Sequence, residues 1–222
     1  YYLLKDVPRG ADPLGPDNVL IFAAGPVTGV PLAGAGRNTM GAKSPLSGGY
    51  GEADVGGFFG AELRHAGYDA VVVRGRAATP VYLWIHDGEA ELRPADKIWG
   101  SKTLECQEAV RAELGDKRVR LAMIGPGGEK MVRYACVIND VTRAAGRTGL
   151  GAVMGSKNLK AVAARGRAAV PLADPEAVQR LAKWMSVHWR DTQAEMQDLG
   201  TPSGLVNFST IGALPTRNFQ DG

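Results

Sequence analysis

An internal repeat constrains this chain more than any other feature. The run Asn18–Pro26, apolar until Gly25-Pro26 stops it, is answered by Arg118–Pro126, stopped by Gly125-Pro126. Short apolar runs ending in Gly-Pro read as buried strands entering a turn. Phe59-Gly60-Ala61, followed by Ala70–Ala77, is answered at unchanged spacing by Leu150-Gly151-Ala152, followed by Ala161–Ala168. Both second segments end in Arg-Gly-Arg-Ala. Repeat units of about 17–77 and 117–168 follow, each read as strand, glycine loop, short helix and strand.

The loop Ala53–Gly57 is expected to open a helix over Phe58–His65, and the loop Ala144–Gly149 to open a segment over Leu150–Leu159. The sequence holds 30 glycines, and they cluster. Glycine clusters mark turns, or places where backbone comes close to something else. Two equivalent helix starts lined with glycine would present backbone N–H groups to one shared anionic ligand. Such a domain would face its ligand with pseudo-two-fold symmetry.

Between the units, Val81–Leu92 reads as a hairpin turning at Asp87-Gly88. A helix over about Thr103–Leu114 follows, ended by Gly115. After the second unit, Asp174 caps a helix with Pro175 in its first turn, running to about Arg190. The expected fold class is therefore α+β: an internally duplicated domain over 1–172 with an inserted hairpin and helix, then the start of a helical domain over 173–222. Tyr1–Lys5 resembles the end of a helix, and both termini are abrupt, so the chain is expected to be truncated at each end.

A net charge of +3 permits an anionic ligand without calling for nucleic acid. Neither a signal peptide nor a membrane-length apolar run is present, and a cytoplasmic protein without a membrane partner is expected. Cys106 and Cys136 lie far apart without metal-ligand spacing and read as buried thiols. His65, His86 and His188 share no ligand spacing either, and read as structural or surface residues. Trp184, His188 and Trp189 form one helical stripe, read as packing.

Gly34-x-Gly36 lacks the third glycine of a dinucleotide fingerprint, and Gly125–Gly128 lacks the Lys-Ser/Thr of a phosphate loop. Arg37 follows Gly34-Ala35-Gly36, and Arg143 and Arg147 flank the second glycine loop. A guanidinium suits phosphate through paired charge-assisted hydrogen bonds. Taken singly, each arginine reads equally well as a solvated surface residue. Three beside two glycine loops favour an anion site.

Several motifs resemble the aldehyde ferredoxin oxidoreductase family. They are Gly36-Arg37, Lys43-Ser44-Pro45-Leu46, Gly56–Leu63, Ala66-Gly67-Tyr68-Asp69 and the long run Gly151–Lys160, with Asp12-Pro13-Leu14 and Leu214–Phe219 extending the match. The resemblance implies a tungsten ion held by two pterins, magnesium bridging the pterin phosphates, and a [4Fe-4S] cluster relaying electrons to ferredoxin. It places Arg37, Asp54, Gly56, Arg143, Ala144, Gly146 and Arg147 at cofactor-contacting positions. Asp54 and Ala144 would offer backbone carbonyls to magnesium. The family usually has Asn where Asp54 stands; a carboxylate aimed at the ion would add a hard oxygen ligand.

The resemblance implies oxidation of aldehydes to carboxylic acids, with the cluster ligands and acid–base residues outside this chain. No catalytic residue is expected within it, and a homodimer is compatible with the resemblance. Two other readings stay open: a relative that reduces aromatic acyl-CoA thioesters, and a non-catalytic module binding a phosphorylated ligand.

Overall fold

The computed structural model describes residues 1–218 and 220. The chain divides into two compact units, Tyr1–Leu172 and Ala173–Gly222. The first opens with a short helix α1 (Tyr2–Asp6), then β1 (Leu20–Ala24), β2 (Asn38–Lys43), β3 (Tyr50–Val55), α2 (Phe59–His65) and β4 (Ala70–Val73). The hairpin β5 (Val81–His86) and β6 (Glu89–Pro94) follows, with helix α3 (Thr103–Leu114) after it. Then come β7 (Arg120–Met123), α4 (Pro126–Glu129), β8 (Val137–Asn139), β9 (Arg143–Ala145), α5 (Leu150–Ser156) and β10 (Leu159–Arg165).

The strands form two sheets, ordered β3-β2-β1-β4 and β6-β5-β10-β7-β8-β9. The first sheet is antiparallel throughout. In the second, β10 pairs antiparallel with β7, β7 with β8 and β8 with β9. The array β4-β1-β2-β3 and the array β10-β7-β8-β9 thus have the same chain order and directions. The inserted hairpin joins the second array through the parallel pairing of β5 with β10.

Alternation along β7 and β10 explains how one sheet serves two cores. Ala122, Ile124, Val162 and Ala164 face a core shared with Leu20, Phe22, Met40, Phe59, Leu63, Leu150 and Val153. Leu121, Met123, Ala161 and Ala163 face the opposite core with Tyr82, Trp84, Cys106 and Val110. Burial in that second core pushes the Cys106 thiol up to about 11, so it stays protonated and inert.

The shared Arg-Gly-Arg-Ala endings have a structural explanation. Each tail docks on the helix of the other repeat. Ala77 donates its N–H to the Lys157 carbonyl at 3.1 Å and Arg76 caps the Ser156 carbonyl at the end of α5. In return, Ala168 donates to the His65 carbonyl at 3.0 Å, while Arg165 and the Gly166 N–H both meet Glu62 of α2 at 3.0 Å. The last turns of both helices gain partners for carbonyls that helix geometry leaves free.

The glycine loops differ from the sequence reading. Ala53–Val55 closes strand β3, and Ala144-Ala145 lies in β9, so only Gly56–Phe58 and Gly146–Gly149 are loop. The second helix ends at Ser156 and not near Leu159, because Asn158 turns the chain at φ 56° and β10 begins at once. In the second unit, helix α6 (Pro175–Leu199) runs past Arg190, capped by Asp174 accepting from the Ala177 N–H at 2.8 Å. A 3-10 turn (Thr201–Gly204) and helix α7 (Leu205–Thr210) follow. Trp184 and His188 stack on α6 with ring centroids 5.1 Å apart, and Trp184 is exposed. Of the Leu214–Phe219 motif, Phe219 lies outside the described residues.

Lys157 is buried and donates to the carbonyls of Asn18 at 2.5 Å and Gly75 at 2.9 Å. Burial, then repulsion from Arg76, lowers its ammonium from 10.5 to about 8. Below pH 8 both folded and unfolded chains carry the charge, and the burial cost is present in full. Between about 8 and 10.5 only the unfolded chain keeps the proton, so stability rises with pH. In urea unfolding at pH 7 and pH 10, the stability of wild type relative to Lys157→Met is expected to increase at the higher pH. An unchanged difference would contradict this account of the buried amine.

Candidate functional site

A cleft of about 610 Å³ opens beside α2, lined by the loop Gly29–Arg37, by Gly56-Gly57-Phe58, and by Ala61, His65 and Arg143. It brings together Arg37, Gly56 and Arg143, which are far apart in sequence. Arg143 reaches it from β9 by laying its aliphatic stem over the glycine loop. Its Cδ lies 3.8 Å from where a Gly56 Cβ would stand. His65 holds the opposite wall, with Nε2 3.1 Å from the Gly29 carbonyl.

Asp54, Ala144, Gly146 and Arg147 lie outside the cleft lining and are exposed. Strand register relates them to one another. In the first array, Ala23, Thr39 and Asp54 form one cross-strand row. In the second, Met123, Ile138 and Ala144 form the corresponding row. Asp54 and Ala144 therefore occupy matching places, as do Gly56 and Gly146 two residues later. Strands β3 and β9 are the terminal strands of their sheets and lie side by side. The residues expected to share a ligand thus sit along the junction of the two sheets.

The glycines of this region separate into two kinds. At Gly36 a Cβ would stand 2.5 Å from the Gly57 carbonyl oxygen, and at Gly51 it would stand 2.8 Å from the Thr148 side chain. Those glycines are required by neighbouring protein atoms. At Gly56 and Gly146 an added Cβ would meet nothing closer than 3.8 Å and 4.0 Å, and neither residue has positive φ. Nothing among the described residues requires glycine at either place.

The charges divide similarly. Among the described residues, no carboxylate forms an ion pair with Arg37, Arg143 or Arg147. All three are exposed. Arg74, Arg93, Arg118 and Arg165, by contrast, are paired with acids. Three unpaired fork-shaped cations beside two glycine loops form a donor set for phosphate-like oxygens. The helices α2 and α5 have only seven residues each, so their dipoles add little to it.

The Asp54 carboxylate is engaged across the ladder, accepting a hydrogen bond from the Thr39 hydroxyl. Its neighbour on the same strand face, Glu52, accepts from the Tyr50 hydroxyl at 2.6 Å. That hydrogen bond, reinforced by burial, raises the Tyr50 phenol to about 12. No group of three or more His, Cys, Asp or Glu side chains able to hold a metal occurs among the described residues.

Sequence reasoning missed Asn139 and Asp140, and met Ser44 only within the Lys43–Leu46 motif. Asn139 donates to the Asn38 side chain at 2.9 Å and to the Gly56 carbonyl at 3.1 Å. Asp140 accepts from the Phe58 N–H at 2.6 Å. The available signal was an Asn-Asp pair after an apolar strand, a turn signature of residues that bond nearby backbone. No helix among the described residues is long and apolar enough to cross a membrane.

The family model for the aldehyde ferredoxin oxidoreductase N-terminal domain matches residues 1–166. The tungsten-containing aldehyde ferredoxin oxidoreductase of Pyrococcus abyssi is 46% identical over all of this chain and 37% of its own length. Its Pyrococcus furiosus counterpart is 45% identical over the same shares. The chain therefore spans little more than a third of the curated relatives it matches. Among solved structures, the active site complex of benzoyl coenzyme A reductase with 1,5-dienoyl-CoA is similar, with a TM-score of 0.82 and 36% identity. That match covers 86% of this chain and 29% of the other.

Proposed function

The chain belongs to the aldehyde ferredoxin oxidoreductase family, as its N-terminal domain, and from that premise we propose that it cradles a tungsten-bis-pterin cofactor. The observation that carries the proposal is the pair Gly56 and Gly146. They sit at matching places beside arginines that have no ion-pair partner among the described residues, and none of the described residues requires them to be glycine. A ligand passing over both loops supplies the missing requirement.

Arg37, Arg143 and Arg147 would donate to phosphate or pterin acceptors, and the backbone at Gly56 and Gly146 would lie against the ligand. The carbonyls of Asp54 and Ala144 would face a magnesium ion between the pterin phosphates. Hard oxygen donors suit magnesium. The Asp54 side chain is engaged by Thr39, so its backbone carbonyl would be the donor to the ion.

Oxidation of an aldehyde to a carboxylic acid is the chemistry that such a cofactor supplies when bound. This chain's residues bind it, neutralise its anionic ends and fix its orientation. Electrons would leave through a [4Fe-4S] cluster in the remainder of the intact protein to ferredoxin or another iron-sulfur carrier, and the protein would work in the cytoplasm. The likeness to benzoyl coenzyme A reductase supports a second reading, reduction of an aromatic acyl-CoA on the same cradle.

Gly146→Ala in the intact protein tests the carrying observation. Its thermal midpoint is expected to stay near wild type, since the new methyl would make only ordinary van der Waals contact, 4.0 Å from Ala144 Cβ and Cys136 Sγ. Tungsten and pterin content is expected to fall severalfold. Full content in the variant would overturn this role for the glycine.

A further inference from the structure

The motif Lys43-Ser44-Pro45-Leu46 and the pair Asn139-Asp140 are not explained by ligand contact, yet they join the two glycine loops. Ser44 is buried in the turn between β2 and β3. Its hydroxyl donates to the Thr148 carbonyl at 2.9 Å, and the same oxygen accepts from Leu46 N–H at 3.1 Å and Ser47 N–H at 3.2 Å. The hairpin turn of the first array thus holds the glycine loop of the second.

The reverse also occurs. Asn139 and Asp140 lead from β8 into the corresponding turn of the second array. Asn139 holds the Gly56 carbonyl at 3.1 Å and Asp140 holds the Phe58 N–H at 2.6 Å. Gly57, between them, packs so tightly that a Cβ would stand 2.7 Å from the Asp140 carboxylate. Each turn latches the other array's loop.

Both latches are strained. Asp140, Val141 and Thr148 have φ of 49°, 66° and 63°. Among the described residues, Val141 and Thr148 are the β-branched residues with positive φ, a conformation their side chains disfavour. Strain of this kind persists only where surrounding contacts impose it, and it gathers at functional sites.

We propose that Ser44 and Asp140 are positioning residues whose reciprocal latches set the separation of the two glycine loops for the cofactor. The inference rests on the cofactor reading above. A two-part ligand needs both loops at one spacing, and neither loop's own hydrogen bonds supply it. Closing both latches before the ligand arrives removes the cost of ordering the loops on binding.

The test uses the intact protein and its Ser44→Ala, Asp140→Ala and Asp140→Asn variants. Tungsten and pterin retained per mole after gel filtration are measured beside the thermal midpoint. Both alanine variants are expected to retain about tenfold less of each, the scale on which residues supporting metal ligands act. Asp140→Asn keeps an oxygen to accept from Phe58 N–H and is expected to retain most of the cofactor.

Wild-type retention in the alanine variants would overturn the proposal. So would equal loss in Asp140→Asn, which would assign the effect to charge. If Asp140→Ala fails to fold, Ser44→Ala and Asp140→Asn decide by the same criteria. A wild-type protein without tungsten and pterin sinks the cofactor reading and the latch with it. A loaded wild type with unaffected variants sinks the latch alone.

Discussion

Gly155→Ala is expected to destabilise the first unit by about 3 kcal/mol, a large share of a domain's total stability. The added methyl would collide with the carbonyl of Gly128 in α4. Neither side has room to yield. Glu129, next to Gly128, forms a buried ion pair with Lys160 and accepts from the Gly100 N–H at 2.9 Å, which pins α4. Helix α5 is buried along its whole length. Overpacking backbone against backbone offers no flexible side chain to move aside. Denaturant unfolding of the purified variant checks the figure, and a midpoint matching wild type would show that α4 and α5 can separate freely. The run Gly151–Lys160 is thereby explained as structure. Gly151 and Gly155 permit close approach, Lys157 and Lys160 are buried donors, and Asn158 bonds the Ala77 carbonyl at 2.8 Å.

The opposite outcome is expected for the arginines. Replacing Arg37, Arg143 and Arg147 together by alanine should leave folding nearly unchanged, because none has an acidic partner among the described residues to strand. Cofactor retention should fall by about three orders of magnitude if each contributes roughly 1.5 kcal/mol as a charge-assisted hydrogen bond. Each single variant should lose roughly tenfold, and any departure of the triple from their product measures how the three contacts couple through one ligand. Lysine at the three positions should restore part of the binding, since charge returns without the fork. Measuring pterin released per mole of each protein, at low and raised salt, distinguishes these outcomes. A triple variant that retains its cofactor as wild type does would remove the arginines from the site.

Sequence reading reached some of this architecture and not the rest, for physical reasons. The α3 boundaries were legible because Gly115, at φ 68°, ends the helix with the residue best suited to that conformation. The hairpin β5–β6 was legible from Asp87-Gly88, both at positive φ. Strands β2 and β3 were not, since Asn38–Lys43 and Tyr50–Val55 carry glycine, alanine and acids where strand propensity looks for β-branched residues. Their stability comes from the sheet and the core beneath Met40, Ala53 and Val55. Helix α6 outran its expected end because no breaker occurs before Gly200. At the site, the arginines and glycines announced themselves by type. Ser44, Asn139 and Asp140 act across the fold, on Thr148, Gly56 and Phe58, and local spacing carries no sign of that.

Two matched glycine loops, and three arginines without acidic partners among the described residues, are proposed to hold a tungsten-pterin cofactor. Elemental and pterin analysis of the intact protein, purified without oxygen from cells supplied with tungstate, addresses this directly. One tungsten and two pterins per polypeptide are expected, lost together when Arg37, Arg143 and Arg147 are replaced. A correctly folded product free of tungsten, molybdenum and pterin would contradict the proposal.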